Sequence, residues 1–130
     1  MRAIIENHHG GPEVLTLSEV PTPVPRTHEG LLRIHAAGIN RADALQRRGF
    51  YPPPPGASAI YGLEAAGIIE AVGDGVSVEN LGAPVLALLP GGGYADYVTV
   101  PVEHLLPLPE GLSFEEGAAL PEVAATVYSN

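Results

Sequence analysis

The chain has 130 residues, and six Lys+Arg against fifteen Asp+Glu give it a formal net charge of −9. That balance excludes the basic footprint a nucleic-acid partner requires, and it disfavours an anionic membrane surface. With no cysteine, disulfides, thiol catalysis and thiolate–zinc sites are excluded as well. The length suits one domain, and a 45% hydrophobic content is enough for a packed core. The N-terminal MRAIIENHHGG has too short an apolar run for a signal peptide. No apolar segment reaches the roughly 18 residues of a membrane helix. Together these features predict a soluble cytoplasmic protein.

The glycines and prolines fall between apolar segments, which predicts many short strands joined by turns. Residues 1–7 and 14–20 read as two strands. HHGGPE between them reads as a turn in which Gly10 and Gly11 are free to take positive φ. PTPVPR is an extended connection, because proline fixes φ and lacks a donor. Residues 30–40 form a third strand, with Arg33 and His35 on one side. Residues 41–48, RADALQRR, are the first good helical segment. Ala42 and Leu45 face inward there, and Arg41, Arg47 and Arg48 stay wet. Asp43 and Arg47 have the i,i+4 spacing of a pair contributing about 0.2–0.5 kcal/mol, and Gly49 suits the C′ position.

Residues 52–56 make a stiff proline loop. Residues 63–73 follow as a buried strand whose small residues, Ala65, Ala66 and Gly67, let another backbone approach. Asp74-Gly75 is a turn. Residues 85–89 and 94–100 are two further strands, joined by 90–93, and 103–109 is an irregular or 3₁₀ connection. The glycine run 91–93 lacks a following helix and a Lys-Ser/Thr, so it reads as a hairpin turn and not a phosphate loop. Ser113 and Glu116 fit a capping box, and Pro121 suits the start of a second helix. No G-x-G-x-x-G occurs. The abrupt end at residue 130, in an apolar segment, reads as a fragment of a longer chain.

Polar residues concentrate in 36–64, where the chemistry is expected. Tyr51 sits on a rigid loop before four prolines. Its phenol is placed to donate to a carbonyl oxygen gaining charge during reduction; the alternative is a ring packed on the prolines. Asn40, between a strand and a helix, reads either as a helix cap or as a donor and acceptor for a ligand amide. Asp43 and Glu64 read as an acid–base pair or as salt-bridge partners of Arg41, Arg47 or Arg48. The five histidines are scattered without metal-ligand spacing, so no metal site is expected.

GINRAD (38–43), RRGFY (47–51), GLEAAGIIEAVG (62–73), LLPGGGYADYVTVP (88–101) and LPEGLSFEEGAALPEVAATVY (108–128) occur in one order. With these motifs the chain resembles the N-terminal catalytic domain of the medium-chain dehydrogenase/reductases. Among them it is most similar to the zinc-free NADPH:quinone oxidoreductases of the zeta-crystallin type. The zinc-dependent, alcohol dehydrogenase-like branch carries a Cys and a His where this chain has Asn40 and Leu63, so no metal is expected at those positions. The resemblance implies a mainly β, GroES-like distorted barrel with short helices over 1–112. A helical linker, 113–130, then leads to a Rossmann cofactor domain outside the chain. It implies hydride transfer from NADPH to a quinone or related conjugated carbonyl, such as an enone or enoyl thioester. Asn40 and Thr126 match positions at the nicotinamide, Asn40 and Tyr51 match positions at the substrate, and Asp43 matches an orienting aspartate. On this reading the chain by itself is an inactive half-enzyme. Its full-length relatives are often homodimers, and association is expected to be weak here because dimer contacts largely use the other domain. The competing reading is a non-catalytic GroES-like interaction module.

Overall fold

A computed structural model describes residues 1–129. β1 (Arg2–Ile5) and β2 (Thr16–Glu19) pair as an antiparallel ribbon. The remaining strands are β3 (Glu29–Ala37), β4 (Glu64–Val72), β5 (Pro84–Leu88), β6 (Tyr97–Pro101) and β7 (Leu105–Pro107). They form one antiparallel sheet in the order β6-β3-β4-β5-β7. Three short helices complete the element order: α1 (Arg41–Arg47), α2 (Phe114–Ala118) and α3 (Pro121–Ser129). The result is the mainly β architecture with short helices that the turn spacing predicts.

β4 is apolar over residues 65–69, between Glu64 and Glu70. Ala65 and Ile69 face the main core with Leu32, Val85, Ala87, Leu89, Val98 and Val100. Ala66 faces the other way, into a cluster with Leu86 and Ala118 beneath α2. A strand covered on both faces has no polar side to show. Gly67 lies opposite Ile34 beside a register shift, and a Cβ there would run into the Arg33 carbonyl. The predicted close backbone approach is therefore present. α2 is held by its Ser113–Glu116 capping box, with bonds of 2.9 and 3.2 Å. Phe114 stacks on His35 of β3 at 4.4 Å between ring centroids.

Several expectations need correction. The glycine run 91–93 is not a hairpin turn: β5 and β6 lie apart in the sheet, with β3 and β4 between them. The run instead crosses to the far side by packing on 58–62, where Gly92 N–H donates to Ile60 O and Gly93 N–H to Gly62 O. Gly10 and Gly11 do not adopt positive φ. Gly11 is extended and leads into a 3₁₀ turn, Pro12–Val14. The connection predicted for 103–109 contains a 3₁₀ turn, Val102–His104, but also β7, which borders β5. Arg47 is not wet. It is 9% exposed, because its guanidinium donates to Gly10 O at 2.8 Å while Gly10 N–H donates back to Arg47 O at 2.9 Å.

Gly67→Ala should lower stability by about 1–3 kcal/mol, the range for overpacking a filled interior. Urea unfolding measures it, and a neutral result would mean β3 can move away from β4.

Candidate active site

Asp43, Gln46, Arg47 and Glu64 are buried polar side chains. Buried polar atoms need partners, and the partners of two of these residues meet at Asn40. Asn40 stands at the N-cap of α1 in extended conformation and forms a capping box with Asp43. The Asn40 N–H donates to Asp43 Oδ2 at 2.7 Å, and the Tyr94 hydroxyl donates to that same oxygen at 2.7 Å. The Asn40 carboxamide Nδ2 donates to Glu64 Oε1 at 2.9 Å. Asn40 is thus both a cap, by position, and a side chain held from outside its helix.

Glu64 opens β4 and is 2% exposed. Its second oxygen, Oε2, accepts the Glu122 N–H at 2.9 Å. Pro121, the first residue of α3, has no N–H to give, so Glu122 carries the first donor of that helix. A carboxylate from a distant strand therefore lies at the positive end of α3. Along the helix, the Thr126 hydroxyl donates to Glu122 Oε1 at 3.3 Å. A hydrogen-bonded line consequently joins Asn40 to Thr126 through Glu64 and Glu122. Gly38 makes room for it, since a Cβ there would collide with the Glu64 carboxylate.

Tyr51 lies outside this line, on the loop after α1, and is 44% exposed. Gly49, with φ +80°, ends α1 as its C′ position predicts, and the Phe50 N–H donates to Leu45 O at 2.9 Å. A hollow of about 960 Å³ is bordered by Val24, Ser58, Leu88, Tyr97 and His104, and by neither Asn40, Tyr51 nor Thr126. Asn40 is half-buried and Tyr51 is exposed. Among the described residues, no three His, Asp or Glu side chains gather as metal ligands. No helix there is long and apolar enough to cross a membrane.

Residues 26–110 match the alcohol dehydrogenase GroES-like domain family. The chain belongs to this family. Mouse quinone oxidoreductase is 43% identical over 122 residues, 92% of this chain and 37% of that protein. The crystal structure of human synaptic vesicle membrane protein VAT-1 homolog-like protein superposes with a TM-score of 0.90 at 35% identity. It covers 98% of this chain and 41% of that one. Escherichia coli quinone oxidoreductase complexed with NADPH gives a TM-score of 0.86 at 37% identity, covering 98% of this chain and 39% of that one. The chain thus spans about two fifths of the length of the relatives it matches.

The GroES-like domain holds two features of the site that the sequence reading missed. The first is that Asp43 and Glu64 pair with no arginine. The ion pairs among the described residues are Arg2–Asp96, His9–Glu6 and Arg33–Glu70. The i,i+4 pair of Asp43 and Arg47 does not form, because each residue is engaged elsewhere: Asp43 by Asn40 and Tyr94, Arg47 by Gly10. Nor does a hydrogen bond join Asp43 to Glu64 as an acid–base pair; they grip different atoms of Asn40. The second is a pair of phenols, Tyr61 buried and Tyr94 half-buried. Loss of water around Tyr94, then its bond to Asp43, raises its pKa well above the usual phenol range. Burial, followed by the nearby Glu6 carboxylate, raises Tyr61 in the same way. The signal for Tyr94 was the glycine run before it. Gly93 can approach Gly62 only because neither carries a Cβ, and the crossing delivers Tyr94 to Asp43.

All six Lys+Arg residues are arginine and there is no cysteine, so tyrosine is the side chain that titrates near pH 10. A phenol whose folded pKa is raised contributes stability that is complete below about pH 10 and lost as pH climbs beyond it. The urea midpoint should therefore fall progressively above about pH 10. Tyr94→Phe should flatten that fall; an unchanged slope would show that Tyr94 titrates normally in the fold.

Proposed function

We propose that the chain is the catalytic-side domain of a zinc-free, NADPH-dependent quinone oxidoreductase, with residues 1–112 as the GroES-like body. Residues 113–130 lead on to a cofactor-binding domain, the acceptor is a small quinone, and the setting is cytoplasmic. The observation that carries the proposal is the line from Asn40 to Thr126, which holds two nicotinamide-facing candidates in one arrangement. The quinone oxidoreductase relatives support the choice of acceptor.

The residues present suit the nicotinamide end of the cofactor and not its phosphates. The glycine run offers no phosphate cradle, because the N–H groups of Gly92 and Gly93 are already donated to Ile60 O and Gly62 O. The first N–H of α3 is likewise taken by Glu64. Phosphate recognition therefore belongs to the second domain in this proposal. At the nicotinamide end, Asn40 and Thr126 orient the carboxamide and exclude alternative poses. NADPH supplies the hydride. That hydride and a proton from solvent would together convert a quinone to a hydroquinone, with negative charge building on the carbonyl oxygen. Tyr51 donates its hydroxyl hydrogen bond to that oxygen, a contact that strengthens as the charge develops. No turnover is assigned to this chain without its cofactor domain, and the full-length protein is proposed to be a homodimer.

In the full-length protein, NADPH absorbance should decay faster with a quinone than with an enoyl thioester; the reverse preference would move the reading to an enoyl reductase. Tyr51→Phe should lower kcat about 10²-fold with little change in quinone KM. An unaltered kcat would leave Tyr51 as a wall of the site.

A further inference from the structure

We propose that Glu64 is a positioning residue, which sets the Asn40 carboxamide and the start of α3 in a single register. The two groups it holds come from separate elements, the loop before α1 and the first turn of α3. Both present N–H donors, Asn40 Nδ2 and Glu122 N, each at 2.9 Å from its own carboxylate oxygen. A carboxylate accepts at both oxygens and donates at neither, which is the requirement here. Few other contacts tie these elements together: α3 touches the sheet lightly at β4 and β5, and its Val123, Val127 and Tyr128 side chains are exposed. Glu64 also begins β4, whose pairing with β3 and β5 holds its backbone rigid. Glu64 therefore fixes Asn40 and the start of α3 to one strand, and so to one another. Thr126, bonded to Glu122 Oε1, moves with that helix. The geometric part stands on these distances alone, whereas its consequence for cofactor binding rests on the function proposed above.

The chemistry supplies a selective test. Glu64→Gln leaves one acceptor oxygen for two donors and turns an NH₂ group against whichever partner loses. Adding Asn40→Asp reverses one bond, so that the new carboxamide at position 64 donates to the new carboxylate at position 40. The remaining oxygen at position 64 then accepts Glu122 N–H again. Amide hydrogen exchange in the full-length protein reads the Glu122 N–H directly, and fluorescence titration reads the NADPH Kd.

Glu64→Gln should speed Glu122 exchange about tenfold, the equivalent of one lost charge-assisted bond. The double variant should return exchange to within about threefold of the parent. NADPH Kd should rise about tenfold in both variants, because the double variant recovers the register without the Asn40 amide. Unchanged exchange in Glu64→Gln, or no recovery in the double variant, overturns the positioning role. If exchange shifts and recovers while NADPH binding is unaffected throughout, Glu64 keeps its role and the nicotinamide assignment of Asn40 falls. Should Glu64→Gln fail to fold, a folded double variant supports the pairing and an unfolded one overturns it.

Discussion

Burying a carboxylate is costly unless hydrogen bonds replace its lost hydration, and the bonds made by both oxygens of Glu64 organise the polar half of this domain. At Glu64 the replacements are a side-chain amide and a helix N-terminal N–H. Each is a charge-assisted bond of the stronger class. Neither partner is near Glu64 in sequence, so the satisfied carboxylate works as a three-way joint between β4, the loop that opens α1, and α3. Gly38 follows from the same constraint, because any side chain there would occupy the carboxylate's place.

A second constraint is steric and is met by glycine. Gly62, with φ +100°, and Gly93 approach so closely that a Cβ on Gly62 would strike the Gly93 backbone. Their contact lets the chain pass from β5 across the end of the sheet to β6. It also sets the Tyr94 N–H on Tyr61 O at 2.8 Å. The Tyr94 hydroxyl then reaches Asp43, whose same oxygen holds the Asn40 N–H. Asn40 is gripped at its backbone by one acid and at its side chain by another. The position is held from two sides, a preorganisation that suits the role proposed for Asn40 above.

This arrangement bears on how a carbonyl could be activated here. At the two positions where the zinc-dependent branch carries a Cys and a His, the chain has Asn40, engaged by Glu64, and Leu63, 8% exposed in the interior. In the proposed function, activation falls to hydrogen bonds from a phenol on the proline-stiffened loop. The hollow by Val24 and Leu88 is bordered by none of Asn40, Leu63 or Tyr51 and takes no part in that proposal.

Local chemistry made much of this legible in advance. Turn residues delimited the strands to within a few positions. Asn40 and Gly49 bracketed α1, Ser113 and Glu116 opened α2, and the small residues of β4 announced a tight backbone approach. The ordered motifs also pointed to the GroES-like family. What could not be read was the identity of partners. Asp43 sits among arginines in sequence, and simple charge pairing suggested for it and for Glu64 salt bridges that do not form. The glycine run looked like a hairpin because its two strands are consecutive, although the sheet places two others between them.

The amino-acid sequence by itself determined where elements start and stop and which residues are candidates for chemistry, since capping, turn formation and periodic burial act over a few residues. Only the tertiary structure decided that Asn40 and Thr126 belong to one hydrogen-bonded line. That line runs through a carboxylate whose two partners lie 24 and 58 residues away. Pairing at such distances is selected by the desolvation of buried groups once the chain is packed, and no local propensity encodes it.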